Sequence, residues 1–211
     1  ILEGNSSISI VNGVVNSVDN NYIYNGSALN LDGIIGSPYI YNNTFGDSAL
    51  VLWNSLNLTS GASLNEIYGS TFSAVNATIQ SVNSNYIKGS IASLDNATIQ
   101  NFYDNNIIQT ANVTIDSAVT IIGGNTVSQF AILAITNSTV ATFIGNNIST
   151  QSQLNITDST VTGYIQYNNV LQESVLQIID GSIVDSLYRN DLNEQSLWTI
   201  QQDAQSGYAE N

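Results

Sequence analysis

The sequence contains no cysteine, methionine or histidine, a single proline and two basic residues among its 211 positions. Without cysteine there can be no disulfide bond and no thiolate metal site. Only 9% of the residues are charged, against roughly 25% in a typical soluble domain. Asn, Ser, Thr, Ile, Val and Gly dominate instead, and all of them are mediocre or poor helix formers. This composition is typical of all-β repeat proteins.

The chain is strongly acidic, because it contains only two basic residues, Lys88 and Arg189, and sixteen Asp and Glu residues, which gives a formal charge of −14. Such a surface repels phosphate backbones, so we expect no nucleic-acid partner. It also repels anionic membrane surfaces. No run approaches the roughly 18 consecutive apolar residues of a membrane span, so we expect no membrane insertion of this segment.

A repeat of 20–22 residues runs through the chain, and its clearest unit is apolar–x–x–Asn–x–apolar, as in Val18–Ile23 and Phe102–Ile107. One copy, Ala62–Ile67, is weaker than the others. Separations between successive central asparagines are 22, 22, 20, 20, 20, 21, 22 and 22 residues. The central asparagines are Asn21, Asn43, Asn65, Asn85, Asn105, Asn125, Asn146, Asn168 and Asn190.

Two largely apolar columns follow the same phase, which predicts that they point into a core. Asp95 interrupts the first column and indicates a one-residue slip beside Leu94. The first column, ten residues after each asparagine, is Leu31, Trp53, Val75, Asp95, Ile115, Ile135, Ile156, Ile178 and Ile200. The second, six residues before it, is Val15, Ser37, Thr59, Ile79, Ile99, Val119, Val140, Thr162 and Val184.

A repeat of this length fits either a leucine-rich repeat or a β-helix coil of three short strands and three turns. The fixed leucine framework of leucine-rich repeats is missing, and segments such as Leu154–Ile156 alternate with the period of a strand. We therefore predict an all-β, right-handed parallel β-helix of about nine to ten coils. Identical residues in successive coils lie ~4.8 Å apart, so the asparagine amides can hydrogen-bond as a ladder inside a turn.

The asparagine column, together with stretches such as Ile135–Thr139 and Asn76–Ile79, resembles the pectate-lyase-like right-handed β-helices. Among these the sequence looks most like the surface type, the autotransporter passenger domains and adhesin-like repeat proteins. The resemblance covers nearly the whole chain and rests on periodicity and composition. It implies an adhesive or structural role, and the acidity and the Asn, Ser and Thr content favour an extracellular or cell-surface location.

Catalytic groups are scarce. Lyases of the resembled family use calcium carboxylates with an Arg or Lys base, whereas the two basic residues here lie about five coils apart. A serine nucleophile would lack an activating base. Asp32, Asp116, Asp158 and Asp180 occupy similar phases without forming a tight cluster, as expected of solvated turn acids. We expect no enzyme activity, no cofactor and no dedicated metal site.

Ten of the eleven tyrosines lie within four residues of a ladder asparagine, at offsets that should point most of them outward. Tyrosine suits any exposed β-surface, but an aromatic strip could also bind sugars or another protein. The candidate binding face is Tyr22, Tyr24, Tyr41, Tyr68, Tyr86, Tyr103, Tyr167 and Tyr188.

We expect residues 1–211 to form a single β-helix domain, a fragment of a longer solenoid, with 196–211 as an incomplete last coil or tail. The expected function is a non-catalytic, extracellular structural and adhesive module whose partners are surface proteins, glycans or copies of itself. A self-assembling filament, sheath or surface-layer subunit is one alternative, and a polysaccharide-binding or polysaccharide-degrading β-helix is another. Ten N-x-[ST] triplets allow glycosylation where the host supports it.

Overall fold

The computed structural model describes residues 1–36, 38–59, 61–200 and 205–210, the last of these by its backbone alone. Over these residues the chain is a parallel β-solenoid of about nine coils and contains no helix. Each strand pairs in parallel with the strands one coil before and one coil after, as Glu66–Tyr68 does with Thr44–Gly46 and Tyr86–Lys88. The predicted fold class is confirmed; right-handed winding stays a prediction.

Every coil has three faces, named here in the order that they follow a ladder asparagine. Face 1 is a separate sheet of nine short strands that begin directly after the asparagines. These strands are Tyr22–Ile23, Thr44–Gly46, Glu66–Tyr68, Tyr86–Lys88, Asn106–Ile108, Thr126–Ser128, Asn147–Ile148, Asn169–Val170 and Asp191–Leu192.

Faces 2 and 3 belong to one continuous sheet, because the strands Ile91–Tyr103 and Asn112–Gly123 run through the corner between them. Face 2 otherwise consists of Ser7–Val11, Ala28–Asp32, Leu50–Asn54, Thr71–Val75, Ile132–Thr136, Gln153–Thr157, Val175–Ile179 and Leu197–Ile200. Face 3 otherwise consists of Ser17–Asp19, Tyr39–Tyr41, Asn57–Leu58, Ala62–Ser63, Thr78–Asn83, Thr139–Ile144, Thr160–Gln166, Ile183–Tyr188 and Gln205–Glu210.

The core is a set of apolar columns that run the length of the solenoid. On face 1 the second residue after each asparagine points inward, as Ile107 and Val127 do, and both are fully buried. On faces 2 and 3 inward and outward residues alternate with the period of a strand. The stacked Ile, Val, Leu and Phe side chains bury their apolar surface against one another, and this burial is the main favourable contribution to folding.

The predicted core columns hold at most positions. Ile200 is wrong as a core residue, because it pairs with Ile178 in register but is 45% exposed. The exceptions within the solenoid follow from coil length. Between face 1 and face 2, most coils turn through two residues with positive φ, such as Asp47 and Ser48, but two coils use a single glycine, Gly69 or Gly89. In these two coils the shorter turn brings each inward position of face 2 one residue closer in sequence to the ladder asparagine. Leu94 therefore occupies the inward position beside Asp95, as predicted. The prediction that Val75 is a core residue is wrong.

Ala74 occupies the inward position next to Val75 and pairs with Trp53 and Leu94. On face 3 an extra residue at Gly163 shifts the register, so Val161 is buried and the predicted core residue Thr162 is exposed.

Thr59 is likewise exposed, because three residues separate Leu58 from Ala62 where the next coil has two. Leu58 is the buried residue at that level. The predicted core position Ser37 lies outside the described residues.

The residue immediately before every ladder asparagine adopts a left-handed backbone, and the asparagines themselves do not. Asn, Asp, Gly and Ser, which tolerate this conformation best, fill six of these nine positions. Leu64 is an exception, with φ of 52° and a side chain that is 46% exposed.

We predict that Leu64→Asn stabilises the protein by about 1 kcal/mol, because leucine is penalised in the left-handed region and asparagine much less. The new amide would also extend the outer contact in which Asn42 Nδ2 donates to Asn20 Oδ1. Urea unfolding followed by circular dichroism measures the change. Leu52→Asn, on an exposed strand position of face 2, is the matched control and should not stabilise; an equal gain at both sites contradicts the interpretation.

Candidate functional site

The nine asparagines form one unbroken hydrogen-bonded ladder at the corner between face 3 and face 1. Each backbone N–H and each Nδ2 donates to the Oδ1 of the asparagine in the next coil, with all sixteen distances between 2.9 and 3.1 Å. Most of the amides also donate to a backbone carbonyl one coil earlier, as Asn105 does to Val82. The predicted ladder is confirmed from Asn21 to Asn190.

Burial makes this ladder part of the core rather than a binding site. Asn43 to Asn190 are buried, and Asn21 is half-buried. Two hydrogen bonds accepted by Oδ1 and two donated by Nδ2 leave the interior amides with little capacity for a ligand. The ladder therefore satisfies the inward polar groups of this corner and fixes the stacking of one coil on the next.

The other two corners carry serine columns that the sequence analysis missed. Between faces 2 and 3, Ser117 donates its N–H to Ser138 Oγ, and Ser138 donates in turn to Ser159 Oγ, at 2.9 and 3.1 Å. Between faces 1 and 2, the N–H of Ser152 donates to Ser174 Oγ at 3.1 Å. Buried serines spaced by 20–23 residues are the signal that could have revealed these columns.

All eight tyrosines of the candidate binding face lie at the surface, exposed or half-exposed, as predicted. They do not form one strip. Tyr41, Tyr103 and Tyr188 end strands of face 3, and Tyr167 lies at the left-handed corner position itself. The remaining four, on face 1, are Tyr22, Tyr24, Tyr68 and Tyr86.

Within this set the structure brings three face 1 rings together. The Tyr22 and Tyr24 rings lie 6.0 Å apart, centroid to centroid. Tyr68 lies two coils further on, and only Gly46 separates it from Tyr24 in their outward column. We call Tyr22, Tyr24 and Tyr68 the tyrosine cluster.

The cluster alters the titration of its own hydroxyls. Withdrawal of the ring from solvent is the main cause that raises the pKa of Tyr24, and the neighbouring Tyr68 hydroxyl is the next. The pKa of Tyr68 is also raised, first by withdrawal from solvent and then by the negative charge of Asp47. Both phenols therefore stay protonated and neutral at physiological pH.

A second tyrosine group lies near the other end of the described chain. Arg189 Nη1 donates to Tyr167 Oη at 2.7 Å, and the guanidinium carbon lies 5.8 Å from the centre of that ring. Tyr164 and Tyr188 lie 6.1 Å apart, centroid to centroid. The chain thus pairs its own arginine with one of its outward tyrosines.

The carboxylates considered as turn acids are spread along the corner between faces 2 and 3. Asp32 accepts a hydrogen bond from Asn54 and Asp116 from Asn137, each one coil further on. Asp158 and Asp180 adopt left-handed turn conformations. In the described ranges, no group of three or more Asp, Glu, His or Cys side chains could hold a metal ion.

No protein-family model matches the sequence, and no curated protein or solved structure shows significant similarity to it. Among the residues with described coordinates, no helix has the length and apolar character needed to cross a membrane.

Proposed function

We propose that the chain is a non-catalytic structural and adhesive module of an extracellular or cell-surface protein, a β-helix of the pectate-lyase-like surface type. The observation that carries this proposal is the contrast between the inside and the outside of the solenoid. The amides of the ladder asparagines hydrogen-bond one another inside their corner, whereas the tyrosines flanking the same corner stay at the surface. Eight intervals of ~4.8 Å give a rod roughly 40 Å long that can hold these rings away from an anchor.

The partners proposed for this surface are other surface proteins, glycans or copies of the chain itself. Tyrosine suits such contacts because it combines a large apolar face with a polar tip and has few rotamers to immobilise. Several weak sites on one rigid rod reinforce one another through their raised effective concentration.

We predict that replacing Tyr22, Tyr41 and Tyr103 together by serine weakens adhesion severalfold and leaves the circular dichroism spectrum unchanged. All three rings point outward, so no core contact is lost. Retention of chain-coated beads on protein- or glycan-coated surfaces under flow measures the effect. Leu50→Ser with Leu52→Ser, at exposed apolar positions of face 2, is the control; equal retention of the tyrosine variant and the unmodified chain contradicts the proposed face.

A self-assembling filament or sheath subunit is the second candidate, favoured by the polarity of the ladder. Every asparagine donates in the same direction along the rod, so a further coil could continue the pattern at either end. Sedimentation over a wide concentration range distinguishes the two candidates, since a monomer at high concentration contradicts self-assembly. Sugar released from acidic or neutral polysaccharides would contradict the non-catalytic proposal and favour a polysaccharide-degrading β-helix.

A further inference from the structure

The tyrosine cluster is an aromatic surface on face 1 in which Tyr22 is exposed and Tyr24 and Tyr68 are half-buried. Register pairing places Thr44 beside Tyr22 and Gly46 beside Tyr68. Tyr24 follows Ile23, the partner of Phe45, so the same register continued by one residue brings Gly46 beside Tyr24. A Cβ atom on Gly46 would overlap the Tyr68 ring. The ring therefore lies across the glycine, towards Tyr24, instead of standing upright on its own coil.

Carboxylates surround the cluster. Glu66 belongs to the same face 1 strand as Tyr68, and Asp47 follows Gly46 directly. The negative charges of Glu3 and Asp47 act on the Tyr24 hydroxyl, and those of Asp47 and Glu66 act on the Tyr68 hydroxyl. The register agrees for Glu3, because Leu2 pairs with Ile23 and the following residues Glu3 and Tyr24 therefore lie side by side.

The local charge is negative even with the one nearby basic residue included. Lys88 follows Tyr68 in the same outward column and is half-buried. One lysine against three carboxylates leaves an excess of two negative charges, on a chain whose formal charge is −14. A cationic partner is complementary to such a surface, and an acidic glycan is not.

The contact of Arg189 with Tyr167 shows which cation suits these rings. The guanidinium donates to the hydroxyl, and its carbon lies 5.8 Å from the ring centre. Guanidinium groups stack on aromatic faces and bind carboxylates through two parallel hydrogen bonds. The tyrosine cluster offers both kinds of contact, rings and carboxylates, side by side.

We propose that Tyr22, Tyr24 and Tyr68 bind an arginine side chain of a basic partner protein, with Glu3, Asp47 and Glu66 supplying the ionic contacts. This inference rests on the proposed adhesive function and names the chemistry of the partner. The guanidinium stacks on the rings, and the carboxylates at the rim accept its N–H groups.

The test measures binding of a fluorescein-labelled Gly-Arg-Gly-Arg-Gly peptide by fluorescence anisotropy at low salt. Tyr22→Ser, Tyr24→Ser and Tyr68→Ser together should raise the dissociation constant about tenfold without altering the net charge. The control is Leu52→Ser, Ile91→Ser and Phe130→Ser, which removes three exposed apolar side chains elsewhere and should change binding less than about twofold.

Two further variants separate the roles of charge and ring position. Asp47→Asn with Glu66→Gln should weaken binding severalfold more than Asp95→Asn with Asp185→Asn, which removes the same charge from other exposed positions. Gly46→Ala should also weaken binding, because it displaces the Tyr68 ring and keeps every ring and charge. Unchanged circular dichroism and thermal midpoint show that each variant is folded.

Equal losses in the tyrosine variant and its apolar control would overturn the inference, and so would equal losses in the two charge variants. A chain that binds cellohexaose and ignores the arginine peptide would overturn the arginine partner but keep the adhesive function. Loss of bead retention on every coated surface would instead contradict the adhesive function itself.

Discussion

Replacing Asn105 by alanine is expected to lower the free energy of unfolding by about 3–5 kcal/mol, because several buried polar groups lose partners at roughly 1–3 kcal/mol each. Asn105 Oδ1 accepts from the N–H and the Nδ2 of Asn85, at 3.1 and 2.9 Å. Its Nδ2 donates to Val82 O and to Asn125 Oδ1, at 2.9 and 3.0 Å. The four bonds lie at a site with 0% exposure, so water cannot replace them.

Urea unfolding monitored by far-UV circular dichroism measures this loss. Repeat proteins can open locally, since each coil contacts only its neighbours. Hydrogen exchange should therefore show the largest loss of protection at the N–H of Asn85 and in the two coils that flank Asn105. Truncation of an apolar core residue to alanine would instead lose packing alone and would not expose the N–H of Asn85 selectively.

Asn106→Ala is the matched control, because Asn106 is the next residue and its side chain is exposed on face 1. It should change stability by less than about 0.5 kcal/mol. Asn21→Ala, at a half-buried position, should cost less than Asn105→Ala. Equal losses at Asn105 and Asn106 would contradict a structural role for the ladder.

The ladder was predictable from sequence because stacking in a parallel solenoid preserves register, so one chemical requirement recurs at a fixed spacing. An asparagine whose amide must meet the amide above and below can be replaced by few other side chains. Even the weak copy around Asn65 was located correctly, although Ala62 replaces a larger apolar residue there.

The register exceptions were harder to predict, because the sequence does not show how many residues a corner uses. A turn through Gly69 alone and a turn through Asp47 and Ser48 both bring the chain into face 2. The difference of one residue exchanges inward for outward positions along the following strand. Val75 looks like a core residue for this reason, yet Ala74 is the buried one.

The tyrosine surface was predicted only in outline. Offsets from the ladder indicate that a ring points outward, but they do not distinguish face 1 from face 3 or show which way a ring leans. Tyr68 reaches over Gly46 because the neighbouring coil has no side chain there. That juxtaposition depends on two positions 22 residues apart and on the χ angles of one tyrosine.

Phe102→Ala is expected to destabilise the protein by about 3–5 kcal/mol, the range typical of truncating a fully buried phenylalanine. Phe102 is 1% exposed and stacks between Val82 and Ile122 in an inward column of face 3. It also lines an existing core cavity of about 30 Å³ together with Trp53 and Phe72. Truncation joins the new void to this cavity, so we expect a loss in the upper part of the range.

Tyr103→Ala, one residue further along the same strand, is the control for this prediction. Tyr103 points outward and is half-exposed, so its loss should cost less than about 1 kcal/mol. A small effect of Phe102→Ala would mean that the coils collapse around the void, because the cost of a cavity depends on how far its walls relax. The ladder opposes such a collapse: Asn125 Nδ2 donates to the carbonyl of Phe102 itself at 3.1 Å, and this bond holds the backbone of the coil at its present spacing.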